Sequence, residues 1–160
     1  MKIKVSVPDQ TLRLYEDAGA LVREYPCSTS KYGYSSEADS NHTPLGRFRI
    51  AHMIGHEAAP RTIFKSRQVV GIWDGGPAYE DYVLTRILWL DGLEHHNANT
   101  RDRYIYIHGT NQEHLIGTPA SQGCVRLSNS DVVDLFGRVE EGTEVEILAG
   151  REGAVDEAPV

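Results

Sequence analysis

Short runs in which every second residue is apolar dominate this chain, and that period of two restricts it to β-structure. In KIKVSV, Ile3, Val5 and Val7 alternate with Lys and Ser, as on a strand with one face buried. TLRLYE puts Leu12 and Leu14 on one face, and Pro8, Asp9 and Gln10 supply the turn between the two segments. ALVREYP reads as a third strand. GRFRIAH sets Phe48 and Ile50 against arginines, RYIYIHG sets Ile105 and Ile107 against Tyr104 and Tyr106, and TEVEIL closes with Val145 and Ile147. The apolar run VLTRILWLDGL reads as a fully buried strand ending at an Asp91-Gly92 turn. One helix is predicted, from Asn129 to about Val139, with Val132, Val133, Leu135 and Phe136 at helical spacing. Ser128 is its N-cap, and Asp131 sits at the end that favours negative charge. The result is a mostly-β domain over residues 1–149 with a peripheral helix, followed by a flexible acidic tail at 150–160. Residues 31–44 form a polar loop, and a central insertion fills 55–100.

A chain of 160 residues can bury a core of its own without staples. Its net charge of -7 and scattered basic residues argue against partners with phosphate backbones or anionic membrane surfaces. No stretch approaches the roughly 20 apolar residues of a membrane span. MKIKVSVPDQTLRLYED lacks the apolar core of a secretory signal, so a cytoplasmic location is expected, or a periplasmic one if a leader has been removed. The two cysteines, Cys27 and Cys124, make no disulfide framework, and Cys27 is expected to be core filler. His95, His96 and His114 fall in polar loops. HEAAP at His56–Pro60 lacks the second histidine of a zinc-protease helix, so neither a metal nor another cofactor is expected.

The chemistry gathers in YIHGTNQEHLIGTPASQGCVRL. A nucleophilic thiol needs a base within hydrogen-bond reach and a group that fixes the base's tautomer. His108 ends a predicted strand and Cys124 stands sixteen positions later, before the helix, so the two can meet across adjacent strands. Gly123 allows a sharp bend there, and a nearby helix N-terminus would lower the thiol pKa. Taken one by one, a lone Cys and a lone His are more often buried filler than catalysts. Arg86, inside an apolar strand, calls for a partner or a substrate.

IHGT followed by SQGCVRL resembles the signature of the L,D-transpeptidase catalytic domain family, and TPLGRF at Thr43–Phe48 resembles a second motif of that family. The resemblance runs from about Lys2 to Leu148. It implies a single-domain β-sandwich of mixed sheets, with a short helix after the catalytic cysteine. It also implies Cys124 as nucleophile, His108 as base and the Gly109 carbonyl as the group orienting His108. Amides near Gly123 and Cys124 would form the oxyanion hole, Ser121 would brace the loop, and Arg126 would face the substrate, with Arg86 as a second candidate. Gln122 stands where many members carry His, and Gln cannot titrate. The substrates implied are murein stem peptides, with carbapenem-type β-lactams as covalent inhibitors. Without a visible leader or anchor, L,D-carboxypeptidase action in murein recycling is favoured over cross-linking or D-amino-acid exchange, with an inactive murein-peptide-binding module as a further reading.

Overall fold

The computed structural model describes residues 1–78 and 80–150. The first alternating segments become an antiparallel meander of β1 (Lys2–Ser6), β2 (Thr11–Tyr15) and β3 (Leu21–Pro26). The last strand, β10 (Glu144–Leu148), runs parallel to β1 on its free edge, with Ile3 opposite Val145 and Val5 opposite Ile147. β4 (Gly46–Ile54) continues the sheet antiparallel to β10, and β7 (Val83–Gly92) pairs antiparallel with β4. Ile87 of β7 lies opposite Ile54 on one side and opposite His108 on the other. β8 (Tyr106–Gly109) therefore takes the second edge of β7, and β9 (Val125–Leu127) adds to it in parallel.

The ten strands among the described residues belong to one mixed, branched sheet. Inward residues from both of its halves, such as Ile3, Leu12, Phe48, Leu88, Ile107 and Val145, meet in a single cluster. The two halves thus close on one core, sandwich fashion. Helix α1 (Asn129–Phe136) covers one side of that core with Val132, Leu135 and Phe136. Its Ser128 cap accepts a hydrogen bond from the Asp131 amide at 3.2 Å.

Two expectations need correction here. The chain does not pass from Cys124 straight into the helix, because β9 intervenes. The helix also ends at Phe136 rather than near Val139, closing where the Gly137 amide donates to Val133 O at 3.2 Å. The central insertion holds a hairpin of β5 (Thr62–Lys65) and β6 (Gln68–Ile72), which joins β7 only through Ile63–Leu84 and Phe64–Val83. Its turn residues Ser66 and Arg67 both adopt left-handed backbone, with φ of 48° and 64°. Of the tail expected at 150–160, residues 151–160 lie outside the described residues. Among the described residues no helix is long and apolar enough to cross a membrane.

Candidate active site

The parallel register of β8 and β9 brings the two predicted groups together. Ile107 lies opposite Val125 and His108 opposite Arg126, and Ile107 and Val125 both point into the main core. By strand alternation Tyr106, His108, Cys124 and Arg126 share the other face. There Cys124 borders a smaller cluster of Phe64, Ile87 and Tyr106. Gly123 makes the approach to β9 with φ of 127°, and a side chain at that position would start 3.4 Å from His42 O. Thr43, from the TPLGRF segment, donates to Gly123 O at 2.9 Å. Ser121 donates to Cys124 O at 2.6 Å, and its own amide is held by Thr29 O at 2.9 Å.

His108 is buried, and its Nδ1 lies 2.5 Å from Gly109 O. A carbonyl can only accept, so Nδ1 carries the proton and Nε2 is left as a bare acceptor. Burial pushes the imidazole pKa down, against the opposing pull of Asp81 and of the bond to Gly109, so the ring is neutral near pH 7. Gly109 must lack a side chain, because a Cβ there would meet Asn129 Oδ1 and lie 2.8 Å from Leu84 O.

The Cys124 sulfur is half-buried. It accepts from the Tyr106 amide at 3.3 Å, and its S–H points to Tyr104 O at 3.5 Å. Burial pushes the thiol up to about 11, outweighing the Tyr106 amide and the charges of Arg126 and Arg103. This reverses the expectation of a depressed thiol pKa. The helix that was to lower it begins only beyond β9. At rest the site therefore holds a neutral thiol and, on the same strand face, a neutral imidazole. Such a pair can form a nucleophile by passing the S–H proton to Nε2 as the sulfur attacks, once the thiol turns away from Tyr104.

Three other expectations change. The Gly123 amide donates to Ser121 Oγ at 3.2 Å, so of the two amides assigned to an oxyanion hole only that of Cys124 lacks an acceptor among the described residues. Arg126 is fully buried: Nη1 donates to Asp81 at 2.8 Å and to Gln112 at 2.7 Å, and Nη2 to Ser28 at 3.3 Å. Alternation does put it on the face of Cys124, but these partners cover it and leave it no exposed surface. Arg86 donates to Ala58 O and Thr85 O and lies over the Phe136 ring, with no hydrogen bond to Cys124 or His108 among the described residues. Gln122 is exposed.

Sequence reasoning missed the residues that hold the site. Asp81 accepts from Thr110 Oγ1 at 3.1 Å as well as from Arg126, fastening the loop after His108. Asn129 donates to Thr110 O at 2.9 Å and accepts from Thr85 Oγ1 at 2.7 Å, joining α1, β8 and β7. Thr85 stands at a two-residue irregularity in β7, with φ of 76°, opposite His108 and Gly109. No motif marks these positions. An acid in a loop and an asparagine just past a helix cap are common surface residues.

Cys27 is wholly buried in the main core. His114 is exposed, and the ring of His56 packs edge-on against Phe136. Among the described residues no group of three or more His, Cys, Asp or Glu is placed to hold a metal ion.

Comparison with known proteins finds the L,D-transpeptidase catalytic domain over residues 1–147. A Bacillus licheniformis protein named as L,D-transpeptidase YkuD is 32% identical over 148 residues, covering 91% of this chain. The match takes in 64% of that relative, so this chain spans just under two thirds of its length. Among solved structures, the L,D-transpeptidase of Xylanimonas cellulosilytica (residues 123–326) superposes with a TM-score of 0.60 at 22% identity, over 91% of this chain and 59% of that one. An L,D-transpeptidase in complex with imipenem superposes with a TM-score of 0.57 at 19% identity, over 91% of this chain and 57% of that one. Both likenesses speak to the fold.

Proposed function

This chain belongs to the L,D-transpeptidase catalytic domain family, and on that premise we propose that it is a cysteine acyltransferase of murein stem peptides. The observation that carries the reading is the placement of Cys124, on its Gly123 turn, on the same strand face as a His108 whose Nδ1 is committed to Gly109 O. Cys124 attacks the carbonyl of the third stem residue while its proton passes to His108 Nε2. The C–N bond to the terminal D-alanine breaks, and the leaving amine takes that proton. The thioester is then opened by an acceptor whose proton His108 removes, and the departing sulfur recovers it.

The acceptor decides the name of the activity. The partial exposure of Cys124 supports water, which makes the protein an L,D-carboxypeptidase that trims tetrapeptides in peptidoglycan recycling. The names of its relatives support an amine, which makes it a cross-linking or D-amino-acid-exchanging transpeptidase. Mass spectrometry of products from a disaccharide-tetrapeptide, with and without an added D-amino acid, separates the two. Tripeptide in both samples is the outcome of hydrolysis, and an exchanged tetrapeptide in the second marks transpeptidation. Absence of free D-alanine in both would leave a peptide-binding module instead. Imipenem is expected to add its mass at Cys124 and not at buried Cys27.

A further inference from the structure

Three arginines stand near Cys124 or the rings beside it, and none forms an ion pair among the described residues. Elsewhere in this acidic chain cations find acids: Arg13 pairs with Glu24, Arg47 with Glu144, Arg49 with Asp91 and Arg138 with Asp134. Arg67, Arg101 and Arg103 have no ion pair among the described residues. Arg67 stands at the tip of the β5–β6 hairpin. Its guanidinium lies 5.0 Å from the centres of both the Trp89 and the Tyr104 rings, and its Nη1 donates to the Tyr106 hydroxyl at 3.4 Å. Tyr104 and Tyr106 are the residues whose backbone groups touch the Cys124 sulfur. Arg103 approaches from the neighbouring loop, donating to Ser35 O at 3.1 Å and to His42 O at 2.5 Å. That same His42 carbonyl lies against Gly123. Arg101 covers Trp89 from 5.6 Å but spends a nitrogen on His52 at 2.8 Å.

A guanidinium stacked on aromatic rings keeps its in-plane N–H edge free, and that edge matches a carboxylate bidentately. A cation whose hydrogen bonds go to neutral oxygens, as those of Arg103 do, keeps charge for a ligand, with Asp39 acting on it only from beyond ion-pair range. We infer that Arg67 and Arg103 form a carboxylate subsite beside Cys124, which selects acyl donors with free carboxylates near the scissile bond over their amidated counterparts. This subsite does the work first assigned to Arg126. The inference rests on the reading of Cys124 as the group acylated by a peptide, and its test is built so that the two fail separately.

The first arm needs no peptide. Cys124 is alkylated with iodoacetate and with iodoacetamide, which differ in charge, and Cys124→Ala reports any labelling of Cys27. Arg67→Gln and Arg103→Gln are each expected to lower the iodoacetate-to-iodoacetamide rate ratio roughly threefold or more, with Arg67→Lys close to wild type. The wild-type ratio should also fall as salt rises, a reading that requires no variant to fold. A ratio that is the same in wild type and both Gln variants and indifferent to salt overturns the subsite. In the second arm, amidating the carboxylates of a tetrapeptide donor should cost wild type about tenfold in kcat/KM, equivalent to about 1.4 kcal/mol. Arg67→Gln should lose much less. Turnover by wild type that ignores amidation also overturns the subsite. A salt-sensitive preference for iodoacetate with no peptide turned over sustains the subsite and removes the acyltransferase reading.

Discussion

At the scale of single residues, the resting state of Cys124 decides how the chemistry must start. With the thiol pushed up to about 11 and His108 neutral, almost no thiolate exists near pH 7, so the proton has to move during the attack. Iodoacetamide labelling of Cys124 should therefore keep accelerating above the ordinary thiol range of about 8.5. His108→Ala should leave that labelling curve in place while abolishing peptide turnover. A labelling midpoint well below 8.5 would instead reveal a preformed thiolate–imidazolium pair, and the concerted scheme would fail. Arg126 tells the opposite story, a buried charge whose two terminal nitrogens are both taken by the fold while its Nε has no acceptor among the described residues. Its pairing with Asp81 and Gln112 fastens the loop after His108, and Asp81 keeps some solvent contact. Arg126→Ala is expected to cost about 3 kcal/mol in urea unfolding, the low end for a broken buried pair. Arg126→Lys should lower kcat through the loosened loop and leave KM within about twofold; a tenfold rise in KM with kcat unchanged would restore its substrate role.

Among the secondary-structure elements, the difference between what sequence reveals and what it hides becomes physical. β1, β2, β4 and β10 are legible because one of their faces is buried and the other solvated, which writes the period of two into the residues. β9 has only three residues, all buried, so it carries no alternation, and α1 follows it after a single cap residue. The β5–β6 hairpin was hidden for another reason. Its left-handed turn uses Ser66 and Arg67, where Asn-Gly or Asp-Gly would have announced it, and β6 leaves Val69, Val70 and Ile72 exposed. Cys124 and His108 were legible as a motif, whereas Arg67, Arg103 and Asp81 gain meaning only from contacts distant in sequence. The clearest junction of elements is Asn129, which ties α1 to Thr110 after β8 and to the irregular Thr85 of β7. Asn129→Ala removes two buried side-chain hydrogen bonds and strands the Thr110 carbonyl. It should lower unfolding stability by about 2 kcal/mol, against roughly 1 kcal/mol for Ser128→Ala at the neighbouring cap. Equal, small losses in both variants would mean that the junction is held by packing alone.

For the molecule as a whole, the buried titratable groups fix where in pH the fold is most stable. His108 is held neutral in the native state, with its pKa below the ordinary value of about 6.5. Between those two values the unfolded chain binds more protons than the native one, so stability rises with pH through that window and is lost as the solution is acidified. Asp134 acts in the same direction, because Tyr25 and Arg138 hold its carboxylate below the ordinary range. Its share disappears only below about pH 4, outside the histidine window. On the alkaline side the signs reverse. Cys124 is pushed up to about 11 and Cys27 to about 12 by burial, and Tyr25 is raised by burial and by the bond it donates to Asp134. Unfolded thiols ionise from about pH 8.5 and unfolded tyrosine from about 10, so stability falls as pH climbs past those values. Urea midpoints measured from pH 4.5 to 10.5 should therefore trace a plateau near pH 7–8 with a decline on either side. His108→Gln, which cannot titrate, should flatten the limb just below about pH 6.5 and leave the alkaline limb unchanged. If the acid limbs of wild type and His108→Gln run parallel throughout, the burial of His108 is not what makes the fold acid-sensitive. The neutral imidazole on which the proton transfer from Cys124 depends would then lose its support in stability as well.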